Sequence, residues 1–382
     1  MHRAHPGPAR FDIADIVRAH RAGLEKLRPL ARAQKRVLTD IAQCRTARLG
    51  GHVDRCESCG YEHPSYNSCR NRHCPKCQAL AQETWIEARR QQMLDVRHFH
   101  VVFTLPSELR SLAAFAPREV FEAQMRAAQR TLVEVGQRRL RATVGATTVL
   151  HTWTRKLEFH PHVHALVTAG GLSPDGESWR PASRRFLVSV KVLGQVFRGK
   201  MMTALGRAYA GGAFARFDDF QDPEGFRALM ARVARLSWNV YAKAPFKKGQ
   251  HVLAYLGRYT HRVGIANSRL LAVSDRAVTF RTKGQGTETL SPVAFLARFV
   301  QHVLPDGLHK IRHVGLYAPV LAARRERART LLGKAVSTLP RNGWRERLAR
   351  LTGRDLAVCP RCGARVYSFA VPRCRDPPTL AA

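Results

Sequence analysis

Residues 44–78 decide most about what this chain can become. The segment is dense in Cys, His, Gly, Asn and Arg and has almost no apolar periodicity, so it needs an organiser other than a hydrophobic core. Cys56-Glu-Ser-Cys59 and Cys74-Pro-Lys-Cys77 are two CxxC knuckles with fourteen residues between them. Two residues between thiolates let both sulfurs turn toward one tetrahedral ion. The spacing therefore predicts a ribbon-type structural Zn²⁺ on Cys56, Cys59, Cys74 and Cys77. Cys44, Cys69 and His73 remain; with His52 or His63 they could form a second zinc site, or they could simply pack. Six of the nine cysteines lie between Cys44 and Cys77 and three between Cys359 and Cys374. Such clusters in a cytosolic chain mean metal more often than disulfides. The terminal knuckle, Cys359-Pro-Arg-Cys362, has only Cys374 as an obvious third ligand. A closed four-ligand zinc offers no position to substrate, so the segment carries no chemistry of its own. Its arginines, Arg70 and Arg72 among them, suit it to gripping DNA.

A net charge of +36 and a pI of about 11.2 point to a polyanionic partner. Nucleic acid comes first, because Lys and Arg neutralise phosphates and release counterions; a membrane surface comes second. No apolar run approaches the roughly 18 residues that a transmembrane helix needs, and the first residues lack the apolar segment of a secretory signal. The expectation is a soluble, cytoplasmic protein without a membrane partner. With 382 residues, 45% of them hydrophobic, most of the chain should fold, into two or three domains.

Apolar spacing predicts helices over 11–28, 118–140, 189–210, 224–242, about 250–262, and, strongly basic, over 318–335. Strands are predicted at 98–105, near 147–154 and at 161–168, and a hairpin around Ser274-Asp275-Arg276. The fold class is α+β: a zinc-ribbon-like helical module, then an antiparallel sheet covered by helices, then a small basic tail.

Two constellations carry chemistry. In His162-Val-His164, on a strand, both histidines face one side. They could hold a divalent cation while leaving positions open for substrate oxygens. A polar pair on an exposed strand has the same spacing, as does His98-Phe-His100. Tyr255 and Tyr259, four apart on a helix, would present two phenols to one side, and tyrosine is a covalent nucleophile. Two packed amphipathic tyrosines would look the same. Lys247, Lys248, Arg258 and Arg262 are close enough in sequence to steady phosphates.

The order Phe103-Thr-Leu105, His162-Val-His164, then Tyr255-Leu-Gly-Arg-Tyr259 resembles the HUH rolling-circle nucleases. Ser68-Cys-Arg-Asn-Arg-His-Cys-Pro-Lys-Cys77 is similar to the zinc-binding domain of the two-tyrosine insertion-sequence transposases. The resemblance covers roughly residues 10–320. It implies metal-dependent nicking and strand transfer of single-stranded DNA through a 5′-phosphotyrosine. His162 and His164 would bind Mg²⁺ or Mn²⁺, and Tyr255 and Tyr259 would be the nucleophiles. The third ligand could be Glu158, His160, His151 or His100. The organisation expected is a zinc-binding DNA-binding domain (1–95), a catalytic domain (96–317) and a basic C-terminal region with the last knuckle (318–382). A rolling-circle replication initiator would share this chemistry; a non-catalytic zinc-ribbon protein would leave the His and Tyr constellations unexplained.

Overall fold

The computed structural model describes residues 10–183, 188–220, 222–246, 264–333, 343–353 and 355–372. The first part contains α1 (Ile13–Leu27), α2 (Arg32–Gln43), β1 (Gly51–Arg55), β2 (Glu62–Tyr66) and α3 (Gln78–Gln92). The middle runs β3 (His98–Thr104), α4 (Arg110–Phe115), α5 (Pro117–Val135), β4 (Thr143–Trp153), β5 (Phe159–Leu172), β6 (Trp179–Pro181), α6 (Val190–Ala210), α7 (Pro223–Arg235) and β7 (Val240–Phe246). The last part contains β8 (Leu270–Val273), β9 (Val278–Arg281), β10 (Thr287–Leu290), α8 (Pro292–Val300), β11 (Ile311–Gly315), α9 (Ala322–Leu331), α10 (Trp344–Thr352) and β12 (Tyr367–Val371).

The central sheet has the order β11-β4-β5-β3-β7, all neighbours antiparallel, with β6 paired to β5. Alternation sorts its side chains. Val163, Ala165 and Val167 of β5, with Phe99, Val101 and Phe103 of β3, enter the main core under α4, α5 and α6. Helix α5 supplies Val120, Phe121, Met125, Ala128, Leu132 and Val135, all buried, and Phe103 meets Phe197 of α6 with ring centroids 5.0 Å apart. The intervening residues of β4 and β5, His151, His162 and His164 among them, point to the opposite side.

The helix expected over 224–242 is two elements. Helix α7 ends at Arg235, and the Trp238 indole donates to the Val233 carbonyl at 2.9 Å. The chain then continues as β7 along the edge of β3, from Val240 opposite Phe103 to Phe246 opposite His98. Pairing that edge satisfies backbone groups of β3 that a longer helix would leave unmet.

A second core lies where no domain boundary would be drawn from the sequence. Ile13, Ile16, Val17 and Leu24 of α1 and Val37, Leu38 and Ile41 of α2 are buried with Phe280, Phe295 and Phe299. Amphipathic helices with no sheet of their own must bury that stripe elsewhere, and α8 with the β8–β10 sheet provides the place. Asp12 fastens the arrangement: it caps α1 at Ala14 N (3.0 Å), accepts from Asn267 (2.9 Å) and pairs with Lys76 (2.7 Å). The first and last parts of the chain also meet, since β12 pairs antiparallel with β1, which pairs with β2. Among the described residues no helix is long and apolar enough to cross a membrane.

Candidate functional site

The cysteines divide differently from the sequence expectation. Cys44, at the end of α2, converges with Cys69, Cys74 and Cys77, their sulfurs within 4.8 Å of one another. Cys56 and Cys59 converge instead with Cys359 and Cys362, within the same limit. Shortest separations are 3.3 Å (Cys44–Cys77) and 3.4 Å (Cys56–Cys362). An S–S bond is about 2.05 Å, whereas thiolates about 2.3 Å from one tetrahedral ion stand roughly 3.8 Å apart. Both clusters thus have the donor set and spacing of structural zinc sites.

The single site expected on Cys56, Cys59, Cys74 and Cys77 is therefore corrected. The first knuckle rides on the β1–β2 turn, and the second opens α3 beside the end of α2, so each closes with a different partner. The second set expected, Cys44 and Cys69 with His73, loses its histidine. His73 is buried, accepts from Leu304 N at 3.4 Å, and is kept neutral by desolvation. Hydrogen bonds from Cys44, Cys69 and Cys74 drive the Cys77 thiol far below its usual range, the thiolate state a metal needs. Cys374 lies outside the described residues.

On the face of the central sheet away from the main core, His151, His162 and His164 bring their ligand nitrogens within 4.8 Å of one another. The β4–β5 register makes this possible by setting His151 directly opposite His162. The hairpin that fixes the register turns through Leu157, buried at φ 60°. His162 donates from Nδ1 to the His160 carbonyl at 2.7 Å, which leaves the Nε2 lone pair free to ligate a metal, 3.1 Å from His164 Nε2. His164 Nδ1 stands 2.8 Å from His100 Nε2. Desolvation lowers His162 to about 4 and His164 well below its usual value, so both are neutral at pH 7, as metal ligation requires. Three imidazoles converging from two strands have the donor set and spacing to hold a divalent cation.

The four candidates for third ligand now separate. His151 joins the pair. His100 stands behind His164, in the place of an outer partner. His160 accepts from Arg110 at 3.0 Å, and Glu158 accepts from Thr154 within the hairpin turn at 3.1 Å. His98, for all its matching spacing, is scaffold: it donates to the Val96 carbonyl at 2.8 Å and accepts from the Tyr317 hydroxyl at 2.6 Å.

Of the residues expected at DNA, Arg70 is exposed. Arg72 is committed elsewhere, donating to the carbonyls of Leu308 (2.7 Å) and Pro305 (3.0 Å). Tyr255, Tyr259, Lys247, Lys248, Arg258 and Arg262 lie outside the described residues. Sequence reading missed two groups on the histidine side. Lys243 of β7 is paired with His100, and Tyr241, 57% exposed, is paired with Val102, itself opposite His164. Tyr241 sits in the stretch read as helix and Lys243 just beyond it, where strand alternation was not applied. Gly264 lies against Leu157, His302 and Trp153, and the Trp153 ring stacks on His151 with centroids 4.6 Å apart.

A family model described as "Transposase zinc-binding domain" matches residues 16–105, and one described as "Putative transposase" matches residues 145–327. The sequence is 40% identical over 376 residues to "Putative transposase y4qJ" of Sinorhizobium fredii (strain NBRC 101917 / NGR234), covering 94% of each chain. It is 32% identical over 299 residues to "Transposase for insertion sequence element IS801" of Pseudomonas savastanoi pv. phaseolicola, covering 74% of this chain and 69% of the relative. A solved structure of the conjugative relaxase TrwC in complex with oriT DNA matches 44% of this chain and 74% of that one. Its identity is 18% and its TM-score 0.24, a likeness too slight to carry a structural argument.

Proposed function

This chain belongs to the IS91 family of rolling-circle insertion-sequence transposases, and on that premise we propose that it nicks and rejoins single-stranded DNA at the element ends through a 5′-phosphotyrosine. The observation that carries the reading is the convergence of His151, His162 and His164 on the face of the sheet away from the main core. Mg²⁺ or Mn²⁺ on these nitrogens would supply Lewis-acid polarisation of the scissile phosphate. Imidazoles held neutral by burial are ready to bind without first losing protons. His160 and His100 fix the ring orientations from behind, through the His160 carbonyl and His100 Nε2.

Tyr255 or Tyr259 acts as the nucleophile. The phenolic oxygen bonds to phosphorus as the bond from phosphorus to the 3′ oxygen breaks, and the phenol's proton ends on that 3′ oxygen. The chain keeps the 5′ phosphate, and the free 3′ hydroxyl can prime replication. The second tyrosine supports a second cleavage or the strand transfer. Supporting the assignment, the described residues that flank both tyrosines in sequence lie on either side of the histidine strand: β7 ends at Phe246 along β3, and Gly264 lies against Trp153 of β4. Lys243 adds positive charge on the histidine side, and the reading places the protein in the cytoplasm with its DNA.

The test is nicking of a single-stranded oligonucleotide that spans an element end. Wild type should cut with Mn²⁺ or Mg²⁺ and not with EDTA. His162→Ala and His151→Ala should each lose at least about a hundredfold in rate. Both variants should still bind DNA, because affinity rests mainly on phosphate contacts elsewhere. Undiminished nicking by His162→Ala, or by wild type in EDTA, would overturn the metal assignment.

A further inference from the structure

The sheet β2-β1-β12 has a feature that the nicking chemistry does not use. Register sets Tyr367 opposite Arg55, Phe369 opposite Val53, Val53 opposite Pro64, and Gly51 opposite Tyr66. Paired residues point to the same side, so Tyr367, Phe369, Tyr66, Val53, Pro64 and Arg55 share one face. The other face is polar, with Ser368 donating to Asp54 at 2.5 Å and His52 beside the same carboxylate at 3.6 Å. The apolar face is open to solvent: Tyr66 is 37% exposed, Tyr367 46% and Phe369 50%. Three water-facing rings on so small a sheet mark a binding surface rather than a core.

The surroundings say what binds. The Arg55 guanidinium lies over Phe369, 5.6 Å from its centroid, while also pairing with Glu62 at 2.6 Å. Arg361 and Arg365 are exposed in the adjoining knuckle. The chain as a whole carries a net charge of +36. Flat rings beside three arginines, on a strongly basic chain, complement a polyanion that presents flat apolar faces, which is single-stranded nucleic acid. Duplex DNA stacks those faces away.

We propose that this face is a stacking platform for single-stranded DNA, with bases on Tyr367, Phe369 and Tyr66 and phosphates at Arg55, Arg361 and Arg365. The Cys56, Cys59, Cys359 and Cys362 cluster serves it by fixing β12, which brings two of the three rings, onto β1. The identity of the strand as DNA rests on the transposase reading; the platform itself rests on the face.

The experiment uses the full chain with a fluorescein-labelled oligothymidylate and a blunt duplex of equal length, at fixed salt. Tyr367→Ala with Phe369→Ala should weaken single-strand binding by roughly tenfold per ring, with duplex affinity and zinc content unchanged. Tyr367→Phe with Phe369→Tyr should bind like wild type. Cys359→Ser with Cys362→Ser should release one zinc and reproduce the single-strand loss. Undiminished single-strand affinity in the double alanine variant would overturn the proposal. So would an equal loss on duplex, or a wild-type dimer that the alanines convert to monomer, which would make the face a contact between copies. Oligothymidylate binding by His162→Ala separates the two readings. Retained binding that still depends on the rings keeps the platform even if no nicking is found. Metal-dependent nicking without ring-dependent binding sinks the platform alone.

Discussion

His100 shows how one residue gains its role from register alone. It shares the H-x-H spacing of β3 with His98, yet the two do different work: His98 is locked between Val96 and Tyr317, while His100 meets His164 Nδ1. Outer partners of this kind typically change metal affinity by about 10–100-fold. His100→Ala should therefore weaken Mn²⁺ binding by that order in a calorimetric titration, and His100→Gln, whose amide oxygen can still accept from His164, should recover part of it. Equal affinity in wild type and His100→Ala would refute the positioning role. His98→Ala should instead lower stability by about 1–3 kcal/mol, the cost of orphaning a buried partner, and leave Mn²⁺ affinity alone. The paired histidines could be read from the sequence because strand alternation is local. The third ligand could not: four residues of suitable chemistry were available, and only the turn through Leu157 decides that His151 comes opposite His162.

The same limit appears at the scale of elements. The presence of zinc knuckles was legible, because CxxC spacing is itself the chelating geometry. Their partners were not, since Cys56 and Cys59 close with residues some three hundred positions away, through the β1–β12 pairing. The two clusters should differ in consequence. Cys44 and Cys74 are buried inside the core that joins α1 and α2 to α8, whereas Cys362 is exposed. Purified protein should hold two zinc ions per chain, and Cys74→Ser or Cys362→Ser should each hold one. Cys74→Ser should lower the thermal midpoint sharply, because metal binding there is folding free energy; Cys362→Ser should mainly raise hydrogen exchange in β12. Equal midpoints for the two variants would show that the buried cluster does not support the core. The central strands and α1, α5 and α6 were readable from periodicity; β7 was not, because its pairing with the edge of β3 is a tertiary choice.

At the scale of the whole molecule, charge and topology work together. A net charge of +36 makes phosphate contacts the main source of affinity, so single-strand binding should fall steeply with salt. Five contacts would cost on the order of a hundredfold between about 50 and 200 mM, measured by anisotropy; flat affinity across that range would contradict an electrostatic grip. The N-terminal helices share a core with residues 265–303 and the C-terminal strand completes the N-terminal sheet, so removing either end should disturb the other. The transposase reading stands finally on the nucleophile, because the described face offers a competitor in Tyr241, on the histidine side of β7. The measurement is covalent adduct formation on a labelled single strand in Mn²⁺, resolved on a denaturing gel, with the linked peptide mapped by mass spectrometry. The adduct should map to Tyr255 or Tyr259, require the metal, survive in each single Phe variant and vanish in Tyr255→Phe with Tyr259→Phe. An adduct that persists in the double variant, or maps to Tyr241, would contradict it.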